Sequence, residues 1–230
     1  MLKIEGLSAY YGESCVIESL DFSVEEGKIV SLIGRNGVSK STTLKSIMGV
    51  VKTPKGSIDF MGKELIKLPT YERAKLGLGY VPQGRDIFGQ MTVLENIELG
   101  LQVNGGKGEI PDYIFELFPI LEKFRLRKGG DLSGGQQQQL AIARALVTKP
   151  KILILDEPTE GIQPSIIQDI GKAIQKVNKE LGITVLLVEQ YLDFVMEISH
   201  VVNVMEHGEV ILSKPIEECT KEEVQGLMTT

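Results

Sequence analysis

The stretch from Gly34 to Thr42, Gly-Arg-Asn-Gly-Val-Ser-Lys-Ser-Thr, constrains this chain more than any other. It follows an apolar run, Ile29-Val30-Ser31-Leu32-Ile33, and precedes the helical-period segment Leu44-Lys45-Ser46-Ile47-Met48. Strand, tight loop and helix in that order form a phosphate cradle, in which loop N–H groups point inward and the helix start adds partial positive charge. Gly34, Arg35, Asn36, Gly37, Val38, Ser39, Lys40, Ser41 and Thr42 are therefore candidate nucleotide-binding residues. Lys40 is expected to reach the β- and γ-phosphates of a nucleotide, and the Ser41 hydroxyl to hold Mg²⁺. One position departs from the pattern G-x-x-x-x-G-K-[ST]. Ser39 stands where glycine is expected, and a side chain there opposes a positive φ or crowds the phosphates.

At 230 residues the chain suits one large domain, or a core with an inserted subdomain. A hydrophobic fraction of 42% and a charged fraction of 24% are those of an ordinary globular protein. The net charge of -6, without a basic block, argues against nucleic acid as the main partner. Cys15 and Cys219 have neither metal spacing nor a disulfide framework and are read as structural. The start, Met1-Leu2-Lys3-Ile4-Glu5, lacks the shape of a signal peptide, and no apolar run is long enough to span a bilayer. A membrane role is expected to come through a partner.

Leu2 to Tyr10 and Val16 to Val24 alternate as β-strands. Between them Tyr11 offers a ring for a nucleotide base, although a tyrosine at a strand end is more often plain packing. A short strand is expected between Pro54-Lys55-Gly56 and Met61-Gly62-Lys63, and a buried one over Leu78 to Val81 before Pro82-Gln83. From Arg85 to about Gly130 the pattern turns helical, with Thr92 and Glu95 as a capping box and Pro111 opening a second helical stretch.

Ser133-Gly134-Gly135-Gln136 starts another helix, Ser133 as its cap, and the four successive glutamines that follow Gly135 suggest a solvated face. The apolar strand Ile152 to Leu155 ends in Asp156 and Glu157, at the end of a parallel sheet where ligands bind. Asp156 suits Mg²⁺ and Glu157 suits activation of an attacking water. A helix from Pro164 to about Leu181, a strand Ile183 to Val188 ending at Glu189-Gln190, a hairpin across His207-Gly208 and a short acidic helix complete the chain. His200 and His207 show no ligand pattern and are read as structural.

In order and combination these motifs resemble the ATP-binding subunit of an ABC transporter from Leu2 to about Leu212. The loop at Gly34 to Ser41 is similar to Walker A, Gln83 to the Q-loop, Leu132 to Gln136 to the signature motif, and Ile152 to Glu157 to Walker B with its catalytic glutamate. The resemblance implies an α/β fold: a P-loop NTPase with a RecA-like core, an N-terminal antiparallel β-subdomain and an inserted α-helical subdomain. The core and β-subdomain would take residues 1–84 and 150–230, and the helical subdomain 85–149. It also implies base stacking by Tyr11, metal ligation by Ser41, Gln83 and Asp156, and catalytic roles for Glu157 and Gln190.

Two departures narrow the group. Glu160-Gly161-Ile162-Gln163-Pro164 replaces the usual Ser-Ala-Leu-Asp, and Gln190 replaces the switch histidine. Both resemble the branched-chain amino acid and urea importers, and Leu132 to Gln139, Glu160 to Ser165 and Val188 to Phe194 are most similar to the urea subunit. The resemblance implies a head-to-tail dimer, with itself or a paralogous subunit, in which ATP lies between Walker A of one copy and Ser133-Gly134-Gly135 of the other. It further implies two membrane permease subunits at the cytoplasmic face of the membrane, docked near Arg85 to Glu95, and an extracytoplasmic binding protein. Ser39 and Gln190 also suit a cassette that binds nucleotide without hydrolysing it, whereas retention of Glu157 argues for an ATPase. An ABC ATPase working on nucleic acid usually has two cassettes or long insertions, which this chain lacks.

Overall fold

The computed structural model describes residues 1–229. Two sheets organise it. β1 (Leu2–Tyr11), β2 (Ser14–Val24), β4 (Lys52–Phe60) and β5 (Lys63–Glu64) form an antiparallel sheet in the order β2-β1-β4-β5. The second runs β10-β9-β3-β8-β7-β6, built from β3 (Ile29–Ile33), β6 (Leu78–Val81), β7 (Ile152–Asp156), β8 (Thr184–Glu189), β9 (Val201–Glu206) and β10 (Glu209–Pro215). Only the β9–β10 pair in it is antiparallel; the others run parallel.

The central strands are apolar on both faces because each face has its own core. Leu153 and Leu155 of β7 and Val185 and Leu187 of β8 face the helices. Their neighbours Ile152, Ile154, Leu186 and Val188 face a second cluster shared with β1, β2, β4 and the helix α1 (Lys40–Met48). Period-two alternation thus packs one strand into two cores, and each buried Leu, Ile or Val contributes about 1.5–3 kcal/mol.

Between β6 and β7, among the described residues, the chain is mainly helical, with α3 (Val93–Gly100), α4 (Tyr113–Leu117), α5 (Pro119–Lys123), α6 (Gly134–Leu146) and two short 3-10 turns. Thr92 and Glu95 form the expected capping box. α7 (Pro164–Leu181), α8 (Leu192–Ile198) and α9 (Lys221–Thr229) also pack on this side of the sheet, and α2 (Thr70–Lys75) precedes β6. Arg73 of α2 is 2% exposed. Its guanidinium donates to the carbonyls of Ser46 and Ile47 at 2.8 and 2.7 Å and to those of Leu68 and Ile66 at 2.9 and 3.1 Å. The last turn of α1, rich in unsatisfied carbonyls and partial negative charge, is thereby closed by a cation.

Several expectations need correction. The segment at Pro54-Lys55-Gly56 is not a boundary, because β4 runs through it from Lys52. Gly56 belongs there for steric reasons: at φ 90, a Cβ would stand 2.5 Å from the Gly6 carbonyl of β1. The glutamine run is not a solvated face, since Gln138 and Gln139 are buried as α6 turns them into the core. Cys15 is exposed, so it has no core role. His200 is structural as expected, its Nδ1 accepting the Ile29 N–H at 2.9 Å. His207 instead stands exposed in the β9–β10 turn at φ 46.

Candidate functional site

The carboxyl ends of β3, β8 and β7 lie side by side, with Ile33 paired to Glu189 and Asp156 to Val188. Beyond them opens a cavity of about 300 Å³ lined by Val16, Asn36, Gly37, Ser39, Lys40, Ser41, Thr42, Gln83 and Glu157. Sequence elements far apart are brought together here by the parallel topology.

Ser39 immediately precedes α1 and adopts the left-handed conformation, φ 75 and ψ 18. The chain therefore makes the bend that glycine makes without steric cost, with a serine. Its Oγ does not cap the helix but donates to the Val16 carbonyl of β2 at 2.8 Å. No acid occupies the first turn of α1, so its N–H groups are open to an anion.

Lys40 is 4% exposed and donates to the carbonyls of Gly34 and Arg35, both at 2.8 Å. Glu157 Oε1 stands 3.8 Å from its Nζ. Burial holds the Lys40 pKa below its ordinary value despite the carboxylates of Glu157, Asp156 and Glu189 nearby.

Asp156 is 1% exposed. Its Oδ1 accepts from Ser41 Oγ at 2.9 Å and its Oδ2 from the Tyr80 hydroxyl at 3.4 Å. Burial raises its pKa, the two hydroxyls and Lys45 offsetting only part of the effect. A buried carboxylate held by neutral hydroxyls and short of positive charge fits a divalent cation, and Ser41, Asp156 and Gln83 carry oxygen donors of the kind Mg²⁺ prefers. Tyr80 itself is pushed up by burial and by Asp156, and so stays a donor.

Glu157 follows β7 at φ 47, its N–H tied to the Val188 carbonyl at 2.9 Å. Gln190 Nε2 donates to its Oε1 at 2.6 Å and Gln83 Nε2 to its Oε2 at 3.2 Å. The Gln83 amide also donates to Glu160 Oε2 at 3.0 Å. Behind Gln190, buried Glu189 accepts the Thr159, Gln190 and Tyr191 N–H groups and so fixes the turn that presents Gln190. Its pKa is raised by burial.

The other expected residues stand outside this cavity. Tyr11 is exposed at the end of β1, near enough to Tyr80 to contribute to its raised pKa. Ser133 caps α6 in a capping box with Gln136, and none of Ser133, Gly134, Gly135 and Gln136 lines the cavity. Gly135 is required by packing, since a Cβ would lie 2.7 Å from Ile166 Cγ2. Gly134 faces the Arg85 guanidinium, whose Nη2 donates to the Glu160 carbonyl at 3.1 Å.

Sequence reasoning gave no role in this site to Val16, Tyr80, Glu160 or Glu189, and named Arg85 only as part of a docking surface. Only the Glu160 departure carried a signal; the others act through neighbouring strands and turns, which spacing along the chain does not show.

The sequence model described as "ABC transporter" matches residues 17–160. Over 218 residues the chain is 38% identical to the high-affinity branched-chain amino acid transport ATP-binding protein BraG of Pseudomonas aeruginosa, covering 92% of this chain and 91% of that one. A probable branched-chain amino acid transport ATP-binding protein, LivF of Archaeoglobus fulgidus, is 37% identical over 97% of this chain and 95% of its own. Among solved structures, a dimeric ATP-binding cassette in a post-hydrolysis state bound to ADP and Pi superposes with a TM-score of 0.83 at 28% identity, covering 94% and 99% of the two chains.

Proposed function

The chain belongs to the ABC transporter family as an ATP-binding cassette, and on that premise we propose that it hydrolyses ATP to drive an importer of branched-chain amino acids. The observation that carries the catalytic part is the meeting of Lys40, Ser41, Gln83 and Glu157 around one cavity, with buried Asp156 bonded to Ser41 behind it. The substrate class rests on the two near-full-length relatives named for branched-chain amino acid transport. It revises the expectation of urea, which now stands second and rests on Glu160 to Ser165, Leu132 to Gln139 and Val188 to Phe194.

In this reading Lys40 and the α1 N–H groups neutralise the ATP phosphates, and Tyr11 stacks on the base. Ser41, Gln83 and Asp156 would hold Mg²⁺, whose chemistry when bound is to offset charge on the phosphate oxygens. Glu157 accepts the proton of the attacking water, oriented by Gln190 on one carboxylate oxygen and Gln83 on the other. An amide cannot take up a proton, so Gln190 works by positioning. Ser133-Gly134-Gly135 completes the site of a second cassette, either an identical copy or a paralogue.

One cassette unit comprises the core and β-subdomain, 1–84 and 150–230, with the helical part 85–149. No helix among the described residues is long and apolar enough to cross a membrane, and two permease subunits would hold the chain at the cytoplasmic face. Their seat is the surface from Arg85 to Glu95, where exposed Phe88 lies over the Arg144 guanidinium at 5.4 Å. An extracytoplasmic binding protein delivers the cargo. The test is uptake into vesicles bearing the chain with its permease pair and binding protein. ATP-dependent entry of leucine, isoleucine or valine supports the reading, and entry of urea alone replaces it with the second.

A further inference from the structure

Glu160 holds two parts of the segment after β6 at once. Its side-chain Oε2 accepts from Gln83 Nε2 at 3.0 Å, and its main-chain carbonyl accepts from Arg85 Nη2 at 3.1 Å. The segment is shaped for this grip: Gly84, Arg85 and Asp86 all take positive φ, at 84, 75 and 46. Two successive non-glycine residues in that region carry a steric cost that surrounding contacts must offset. Arg144 of α6 adds a further bond, its Nη2 donating to the Arg85 carbonyl at 3.3 Å.

The amide of Gln83 is polar at both ends, and only one end can ligate a cation. Its Nε2 has two hydrogens, and two carboxylates, Glu157 Oε2 and Glu160 Oε2, take them at 3.2 and 3.0 Å. The reverse orientation would set the amide oxygen against two carboxylate oxygens, three acceptors with no proton between them. Two carboxylates therefore fix which end is left over, and it is Oε1. With Glu157 alone the amide has one anchor and can turn about it.

We propose that Glu160 is a positioning residue of the ATPase reaction: by holding the second N–H of Gln83, with Arg85 holding its own main chain, it keeps Gln83 Oε1 turned outward as a metal ligand. This rests on the assignment of Gln83, Ser41 and Asp156 to Mg²⁺. Glu160 is not among the residues lining the cavity and acts through Gln83. It also connects the segment after Walker B to the segment after β6 without passing through the nucleotide.

The experiment uses the full chain, unsubstituted and as Glu160→Ala and Glu160→Gln. ATP affinity is measured by titration with EDTA and then with increasing Mg²⁺, and Mg²⁺-dependent hydrolysis is measured alongside. Glu160→Ala should leave ATP affinity in EDTA unchanged and raise the Mg²⁺ concentration for half of the metal effect roughly tenfold, the loss of one hydrogen bond to a charged group. Glu160→Gln keeps an acceptor oxygen without the charge and should restore most of the metal response. A merely structural role would shift both titrations together. The idea is overturned if Glu160→Ala leaves the Mg²⁺ response unchanged or tightens it, or if the glutamine variant behaves like alanine. The functional reading fails separately, by absence of hydrolysis in the unsubstituted chain, while the binding titrations still decide the role of Glu160.

Discussion

Gln190 Nε2 donates to Glu157 Oε1 across 2.6 Å, linking the turn after β8 to the residue after β7. The bond fixes the plane of the carboxylate. Glu157→Gln removes the base without removing the phosphate cradle. Hydrolysis should fall about 10²–10⁴-fold with ATP affinity preserved, measured by steady-state turnover beside equilibrium binding. Equal loss of affinity would place Glu157 in binding instead.

Ser39→Gly trades a strained serine for a residue free to adopt φ 75, and loses the bond to the Val16 carbonyl. The two changes each amount to about 1 kcal/mol and oppose one another, so melting temperature should move little. Turnover should rise at similar Mg-ATP affinity, since the loop no longer carries a side chain beside the phosphates. A rate equal to that of the unsubstituted chain would mean that the hydroxyl, already committed to Val16, leaves the phosphates undisturbed.

The raised pKa of Asp156 makes nucleotide-free stability depend on pH. The folded carboxyl holds its proton to higher pH than the unfolded one, so its favourable contribution is complete below the unfolded value and is lost as pH rises through the folded value. Asp156→Asn removes this contribution to the decline. In EDTA its melting temperature should fall less than that of the unsubstituted chain between acidic and neutral pH, and Mg²⁺ should no longer enhance nucleotide binding. An unaltered pH slope would count against Asp156 as the titrating group.

Arg73→Met fills similar space but abandons the carbonyls of Ser46 and Ile47 at the end of α1. Denaturant unfolding should show a loss of about 3 kcal/mol. Nucleotide affinity should fall less than stability, because Lys40 and Ser41 stand at the opposite end of the same helix.

Gly135→Ala places a methyl against Ile166 Cγ2 and should cost about 1–3 kcal/mol, partly recovered in the double variant with Ile166→Ala, which removes that carbon. A double-mutant cycle measures the coupling; simple additivity would show that the two do not clash.

The strands and the loop were legible because each carries a local pattern: Ile29 to Ile33 and Ile152 to Leu155 are apolar throughout, and Gly34 to Thr42 names its own chemistry. Adjacent acids at Asp156 and Glu157 were informative for the same reason. Tyr80 was not, because its bond to Asp156 follows from β6 lying beside β7, a pairing between residues distant in sequence. Buried Gln138 and Gln139 misled because polar composition suggests solvent, whereas a helix sandwiched between other elements buries part of its polar surface. The role of Gln83 as a link between two carboxylates was hidden similarly, since Glu160 reaches it only after the chain has crossed the helical part.

The capping box at Ser133 and the cavity at Lys40 belong to one chain but not to one pocket. If Ser133-Gly134-Gly135 completes the site of a second cassette, as proposed, a chain alone is idle and works only when another chain meets it. Under dilute conditions its output per molecule should climb with the amount of protein present. Subunits not yet mated would then leave the cell's fuel unspent, which makes the layout of the fold a safeguard against waste during assembly.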